Sequence, residues 1–139
     1  MREELGIGPY RIMLADDHVL VRQGIRKIIQ ENREMEVIGE AGDGLELMDL
    51  LKKSRPDLVI LDISMPKLRG LEATKRIKGL YPEVKVLILT MHRSKEYLRQ
   101  ALEFGANGYL LKEDADLALF SAIEALRQGM VFISPLLAE

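Results

Sequence analysis

Ile12-Met13-Leu14-Ala15-Asp16-Asp17 is an apolar run closed by two adjacent carboxylates, and Leu58-Val59-Ile60-Leu61-Asp62 repeats the pattern with a third. Read as parallel strands, the two runs crowd three acids at one edge of a sheet. Like charges that close repel one another and resist ionisation, so this arrangement calls for a divalent cation or puts shifted proton affinities to use. Mg²⁺ is the leading candidate, because it is hard and prefers oxygen. Aspartates also cap helices and make turns where strands end, so the pair alone does not decide the question.

Two further runs close on different chemistry. Val86-Leu87-Ile88-Leu89 ends on Thr90, and Tyr109-Leu110-Leu111 ends on Lys112. Four strand ends then offer carboxylates, a hydroxyl and an ammonium, which together can hold a metal and a phosphoryl group.

The chain has 139 residues, of which 47% are hydrophobic, enough for one domain with a core of its own. Its 20 basic and 22 acidic residues leave a net charge of −2, and no run of Lys and Arg marks a helix face. Direct binding of nucleic acid is therefore not expected. The absence of cysteine excludes disulfides, thiolate catalysis and cysteine zinc sites, and His18 and His92 form no recognisable metal motif by spacing. No apolar stretch is long enough to span a bilayer, and Met1-Arg2-Glu3-Glu4 does not begin like a signal peptide. A cytoplasmic location with no membrane partner is the expectation.

Periodicity supplies the elements between the runs. Residues 1–9, with Gly6 and Gly8, read as an extension. Val21, Ile25, Ile28 and Ile29 recur at helical spacing with Arg22, Arg26 and Lys27 between them, predicting a one-sided helix from about His18 to Asn32. A short strand is expected around Glu36 to Gly39. Gly42-Asp43-Gly44 is a turn, after which Leu47, Leu50 and Leu51 mark a second helix that stops before Pro56. Ala73, Ile77 and Leu80 mark a third helix ended by Tyr81-Pro82; Leu98, Ala101, Leu102 and Gly105 a fourth; Leu119, Ile123 and Leu126 a fifth, closed by Gly129. Five strands alternate with five helices over residues 10–130. The tail 131–139 is expected to end the chain without further elements, as the start of a linker.

The runs at Ile12, Leu58 and Val86 are continuously apolar, as strands are when helices cover both faces of a parallel sheet. The predicted fold is therefore a doubly wound α/β domain, in which ligands bind beyond the carboxyl ends of the strands. The acids, the threonine and the lysine fall at that edge.

With these pieces in place, the chain resembles the receiver domain of bacterial two-component response regulators over roughly Arg11 to Met130. The resemblance rests on Asp16-Asp17-His18, Leu61-Asp62-Ile63-Ser64-Met65-Pro66 with Gly70 beyond it, Thr90, and Gly108-Tyr109-Leu110-Leu111-Lys112. Gly70-Leu71-Glu72-Ala73-Thr74 and Val131-Phe132-Ile133-Ser134-Pro135 look most like the NarL/FixJ (LuxR-type) subfamily, whose members usually carry a C-terminal helix-turn-helix. The resemblance implies a flavodoxin-like five-stranded sheet of order 2-1-3-4-5. It also implies phosphorelay signalling with a sensor histidine kinase as partner, a second copy of the chain as a homodimer partner, and a transcriptional output through a DNA-binding domain absent from these residues.

Carried over residue by residue, the resemblance makes Asp62 the phosphoryl acceptor. Asp17, Asp62 and the Ser64 backbone carbonyl would ligate Mg²⁺, and Asp16 would hold it through water. Lys112 would clamp one phosphoryl oxygen and the Thr90 hydroxyl would contact another. Tyr109, as the switch aromatic, would turn inward into the space Thr90 leaves, changing the surface of the fourth helix, fifth strand and fifth helix. Such a chain is not an enzyme, although it takes phosphoryl groups from small donors and slowly loses them. Ser64, Met91 and His92 flank the route of the hydrolytic water, and His18 is read as a helix-start residue outside the chemistry. Met65-Pro66 shapes the loop beside the acceptor.

One departure stands out. Many receivers have a proline with a cis bond after the lysine; here Glu113 follows Lys112, and a cis bond before a non-proline residue costs about 3 kcal/mol, which leaves the loop geometry open. Two rival readings lack their residues. A haloacid-dehalogenase-like phosphatase needs a second acid two residues past the nucleophile, where Ser64 stands, and a flavin-binding flavodoxin needs a Ser/Thr/Gly-rich phosphate loop where Asp16-Asp17-His18 stands. A phosphorylation-independent interaction module would be expected to have lost part of the acid, threonine and lysine set, and none is missing.

Overall fold

The computed structural model describes residues 8–138. Of the expected N-terminal extension only Gly8 and Pro9 fall within it. The strands are β1 (Tyr10–Ala15), β2 (Met35–Ala41), β3 (Leu58–Leu61), β4 (Lys85–Thr90), β5 (Gly108–Leu111) and the short β6 (Phe132–Ile133). The helices are α1 (Val19–Gln30), α2 (Gly44–Lys53), α3 (Gly70–Leu80), α4 (Lys95–Glu103), α5 (Ala115–Arg127) and α6 (Pro135–Ala138), with one 3₁₀ turn at Lys112–Asp114. The sheet is parallel throughout, in the order β2-β1-β3-β4-β5-β6. None of the described helices is long and apolar enough to cross a membrane.

The sheet needs cover on both faces, and the strand sequences say so. β1 sends Ile12 and Leu14 to one side, where they pack with Ile25 and Ile29 of α1 and with Leu119 and Ile123 of α5. Met13 and Ala15 point to the other, among Leu47 and Leu51 of α2, Ile77 of α3 and Leu98 of α4. β3 and β5 are buried along their whole length, whereas the edge strand β2 is half-buried through its middle. Local chemistry starts two of the helices: the Asp43 carboxylate accepts from Glu46 N at 2.8 Å to open α2, and Ser94 Oγ accepts from Tyr97 N at 3.1 Å to open α4.

The doubly wound fold and the 2-1-3-4-5 order are as expected, with an addition at the far edge. The tail that was to carry no elements forms β6 and α6. β6 pairs with β5 (Gly108↔Phe132, Tyr109↔Ile133), and Leu137 is buried against the core. β6 was illegible because a strand of two residues shows no period. β2 is longer at both ends than its apolar residues suggested, since its pairing with β1 runs from Met35 to Ala41 and absorbs an extra residue between Val37 and Gly39. α1 starts at Val19 and stops at Gln30, inside the predicted limits.

Register places the chemistry. Ala15 pairs with Leu61, and Thr90 with Leu111. Asp16 and Asp62 therefore leave adjacent strands at the same level, with Thr90 and Lys112 beside them.

Candidate functional site

Asp16 and Asp62 are both buried, and Lys112 Nζ bridges them at 2.9 Å from Asp16 Oδ2 and 3.4 Å from Asp62 Oδ2. Asp62 is 3% exposed. Burial pushes its carboxyl above the ordinary aspartate range; the Lys112 charge opposes this, Asp16 as a like charge adds to it, and hydrogen bonds from the Ser64 backbone and Lys112 oppose it. Asp17, with its side chain 36% exposed, stands at the solvent side. Asp16, Asp17, Asp62 and His18 each bring one ligand atom to within 4.8 Å of the others.

The remaining candidates surround this group. Asp62, Ser64, Met91, His92, Lys112 and His18 line a cleft of about 250 Å³. Ser64 Oγ and His92 Nε2 lie 2.9 Å apart, joining the loop after β3 to the loop after β4. The His92 ring meets Tyr97 edge-on at 5.1 Å, and Met91 is 73% exposed at the mouth. Thr90 is buried and its Oγ1 accepts from His92 N at 3.2 Å.

Tyr109 is already seated inward. Its ring is fully buried and its hydroxyl donates to the His92 carbonyl at 2.8 Å, so the inward turn expected as a switching movement is complete in this arrangement. Burial pushes its phenol up to about 12, which keeps the donor protonated. No cis peptide bond occurs among the described residues, so Lys112–Glu113 is trans. Glu113 instead accepts two hydrogen bonds from Arg93, at 2.7 and 2.6 Å, tying the loop after β5 to that after β4. The Arg93 hydrogen bonds hold the Glu113 carboxyl below its usual range.

Two residues of the site were missed from sequence. His18 was assigned to the helix start alone, yet its Nδ1 lies 3.2 Å from Asp16 Oδ1 and 3.5 Å from Asp17 Oδ1, while its backbone N–H donates to Asp16 Oδ1 at 2.9 Å. Its adjacency to the acidic pair was the available signal. Arg22, one turn further along α1, donates from Nη1 to the Asp16 carbonyl at 2.5 Å and from Nε to Glu40 at 3.1 Å. It thereby anchors the backbone that carries the acids.

The oxygen donors fit a hard divalent cation. Three carboxylates that converge with only one lysine among them carry a surplus of negative charge, and oxygen ligands of this kind are what Mg²⁺ takes. Asp17→Asn removes one negative charge, and among the described residues the contact of the Asp17 carboxylate is with His18 Nδ1 at 3.5 Å. Without metal this variant is therefore expected to melt higher than the parent, and with millimolar Mg²⁺ the order should reverse; a lower melting point in both conditions would make Asp17 a structural acceptor.

Comparison with known proteins identifies the family of the chain. The model of the response regulator receiver domain matches residues 12–124. The transcriptional regulatory protein DegU of Brevibacillus brevis is 41% identical over 136 residues, 97% of this chain and 57% of the relative. The chain thus spans little more than half the length of that curated relative. Among solved structures, a LuxR-family two-component response regulator from Aurantimonas sp. SI85-9A1 superposes with a TM-score of 0.90 at 37% identity, covering 94% of each chain. The isolated receiver domain of RcsB from Salmonella enterica serovar Typhimurium, solved with the phosphomimetic BeF₃⁻, gives 0.87 at 31% identity over 94% of this chain and 97% of that one. The chain belongs to the response regulator receiver domain family, and its relatives are NarL/DegU/LuxR-type regulators.

Proposed function

We propose that the chain accepts a phosphoryl group on Asp62 from the phosphohistidine of a sensor kinase, or from a small acyl phosphate, with Mg²⁺ bound at the acidic cluster. The observation that carries this reading is a buried strand-end carboxylate, Asp62, paired with the Lys112 ammonium and within reach of two further acids. An Asp62 oxygen attacks phosphorus, forming a mixed anhydride, while the donor's P–N or P–O bond breaks and its electron pair leaves with the donor. Asp17, Asp62 and the Ser64 carbonyl would hold the metal, with Asp16 acting through water. When bound, Mg²⁺ supplies neutralisation of the charge that gathers on the phosphoryl oxygens.

This chain's own groups do the rest. Lys112 exchanges Asp16 and Asp62 for a phosphoryl oxygen, and the Thr90 hydroxyl donates to a second one. That draws on the loop from Thr90 to His92, to which the Tyr109 hydroxyl is bonded, so α4, β5 and α5 receive the change. The receiver unit is residues 10–130, and a sensor kinase and a second copy of the chain are its proposed partners. Incubation with acetyl phosphate and Mg²⁺ should add one phosphoryl group by intact mass. An unchanged mass at millimolar Mg²⁺ would overturn the reading.

Ser64, Met91 and His92 are assigned to the lifetime of that group. Met91 stands at the cleft mouth, where its flexible thioether restricts the approach of water. Met91→Ala is expected to shorten the half-life of phospho-Asp62 about twofold, the effect of roughly 0.4 kcal/mol of barrier. Equal or slower loss of labelled phosphate would leave Met91 as surface packing.

A further inference from the structure

Five polar or charged side chains are buried among the described residues. Asp16, Asp62 and Thr90 belong to the site, and Thr74 donates its hydroxyl to the Gly70 carbonyl at 2.8 Å within α3. The fifth, Ser134, has no part in the chemistry described so far. It follows β6 and is fully buried.

Its contacts explain why a hydroxyl sits there. Ser134 N donates to the Tyr109 carbonyl at 2.9 Å, and Ser134 Oγ accepts from Leu111 N at 2.8 Å. β6 pairs only with Gly108 and Tyr109, so the last amide of β5 lies beyond the reach of strand pairing. The serine hydroxyl satisfies it. On its other side the Ser134 carbonyl accepts from Leu137 N at 2.9 Å, opening α6, whose Leu137 is buried in the core. One residue thus grips the segment between Tyr109 and Leu111 and starts the C-terminal helix. Lys112 is the next residue.

We propose that Ser134 is a positioning residue that holds the end of β5, and with it Lys112, and that by the same bonds the C-terminal segment Phe132–Ala138 responds to a phosphoryl group on Asp62. This rests on Asp62 being the acceptor. Lys112 has to leave Asp16 to reach a phosphoryl oxygen, and the backbone immediately before it, at Leu111, is held by the Ser134 hydroxyl rather than by a continuing strand ladder. Coupling of this kind is reciprocal: if the site moves the segment, loosening the segment weakens the site.

The test uses the whole chain with Mg²⁺ and beryllofluoride, a phosphoryl mimic, with fluorine NMR to report occupancy. In the parent protein, occupancy should shift the amide resonances of Leu111, Ser134 and Leu137. Ser134→Ala should weaken beryllofluoride binding about fivefold, leave Mg²⁺ affinity within about twofold, since the metal's carboxylates directly follow β1 and β3, and be rescued by Ser134→Thr. A serine that only stabilises the fold would not produce that split. Occupied protein with unmoved Ser134 and Leu137 resonances overturns the proposal, as does Ser134→Ala with unchanged beryllofluoride affinity or with both affinities lowered alike. A parent protein that never shows bound fluoride overturns the acceptor reading itself, and this inference with it.

Discussion

Asp62→Asn is expected to reduce phosphorylation by acetyl phosphate and Mg²⁺ to background, because the amide offers no nucleophilic oxygen anion while filling the same space at the end of β3. Intact mass of the two proteins side by side checks this. An undiminished phosphoryl addition in the variant would move the acceptor to another residue. The substitution carries a second signature in stability. Burial, with Asp16 adding, raises the Asp62 carboxyl above its ordinary value against the pull of Lys112, so the folded state holds this proton more tightly than the unfolded chain does. Between the unfolded and folded values the native state binds more protons, and its stability falls as pH rises through that window. The asparagine lacks this dependence. Without metal, Asp62→Asn should therefore gain on the parent as pH climbs from below the ordinary aspartate range to neutrality, read as a rising difference in urea midpoint; a difference that shrinks over that range would mean the Lys112 pair outweighs burial.

Gly70→Ala should be among the most damaging single-methyl changes available. A Cβ there would lie 2.2 Å from the Asp62 carbonyl oxygen and 2.7 Å from Ile63 Cα. Both are backbone atoms of the acceptor loop, and Gly70 N also donates to Ile63 O at 2.9 Å, so α3 cannot retreat without breaking that bond. A loss of roughly 3 kcal/mol or more is expected from overpacking against rigid backbone. It should come with a phosphorylation defect larger than the population unfolded explains, since the methyl pushes on Asp62 itself. Gly24→Ala and Gly79→Ala are the controls: both lie in helices with nothing within 4 Å of the new methyl, and each should stabilise by about 0.5–1 kcal/mol. Urea unfolding of the three variants checks the opposite signs. A Gly70→Ala protein as stable as the parent would show that the α3 start is free to shift.

Much of this molecule was readable because its signals are local. Leu58–Leu61 has no polar face to show, which only a strand covered on both sides tolerates, and Asp62 follows it directly. The same logic made Thr90 and Lys112 strand ends. Other features have no local signature. The partner of Ser64 lies 28 residues away at His92, and the hydroxyl of Ser134 meets an amide 23 residues back. Glu113, which broke the family pattern, found its reason in Arg93, 20 residues upstream. By itself, then, the sequence determined the parallel α/β architecture and the edge at which acids, threonine and lysine gather, because burial periodicity is set residue by residue along each strand. The tertiary structure alone decided that Lys112 rests between Asp16 and Asp62, that Tyr109 sits inward on the His92 carbonyl, and that the tail extends the sheet beyond β5, because these depend on crossovers that bring distant backbone into hydrogen-bonding range.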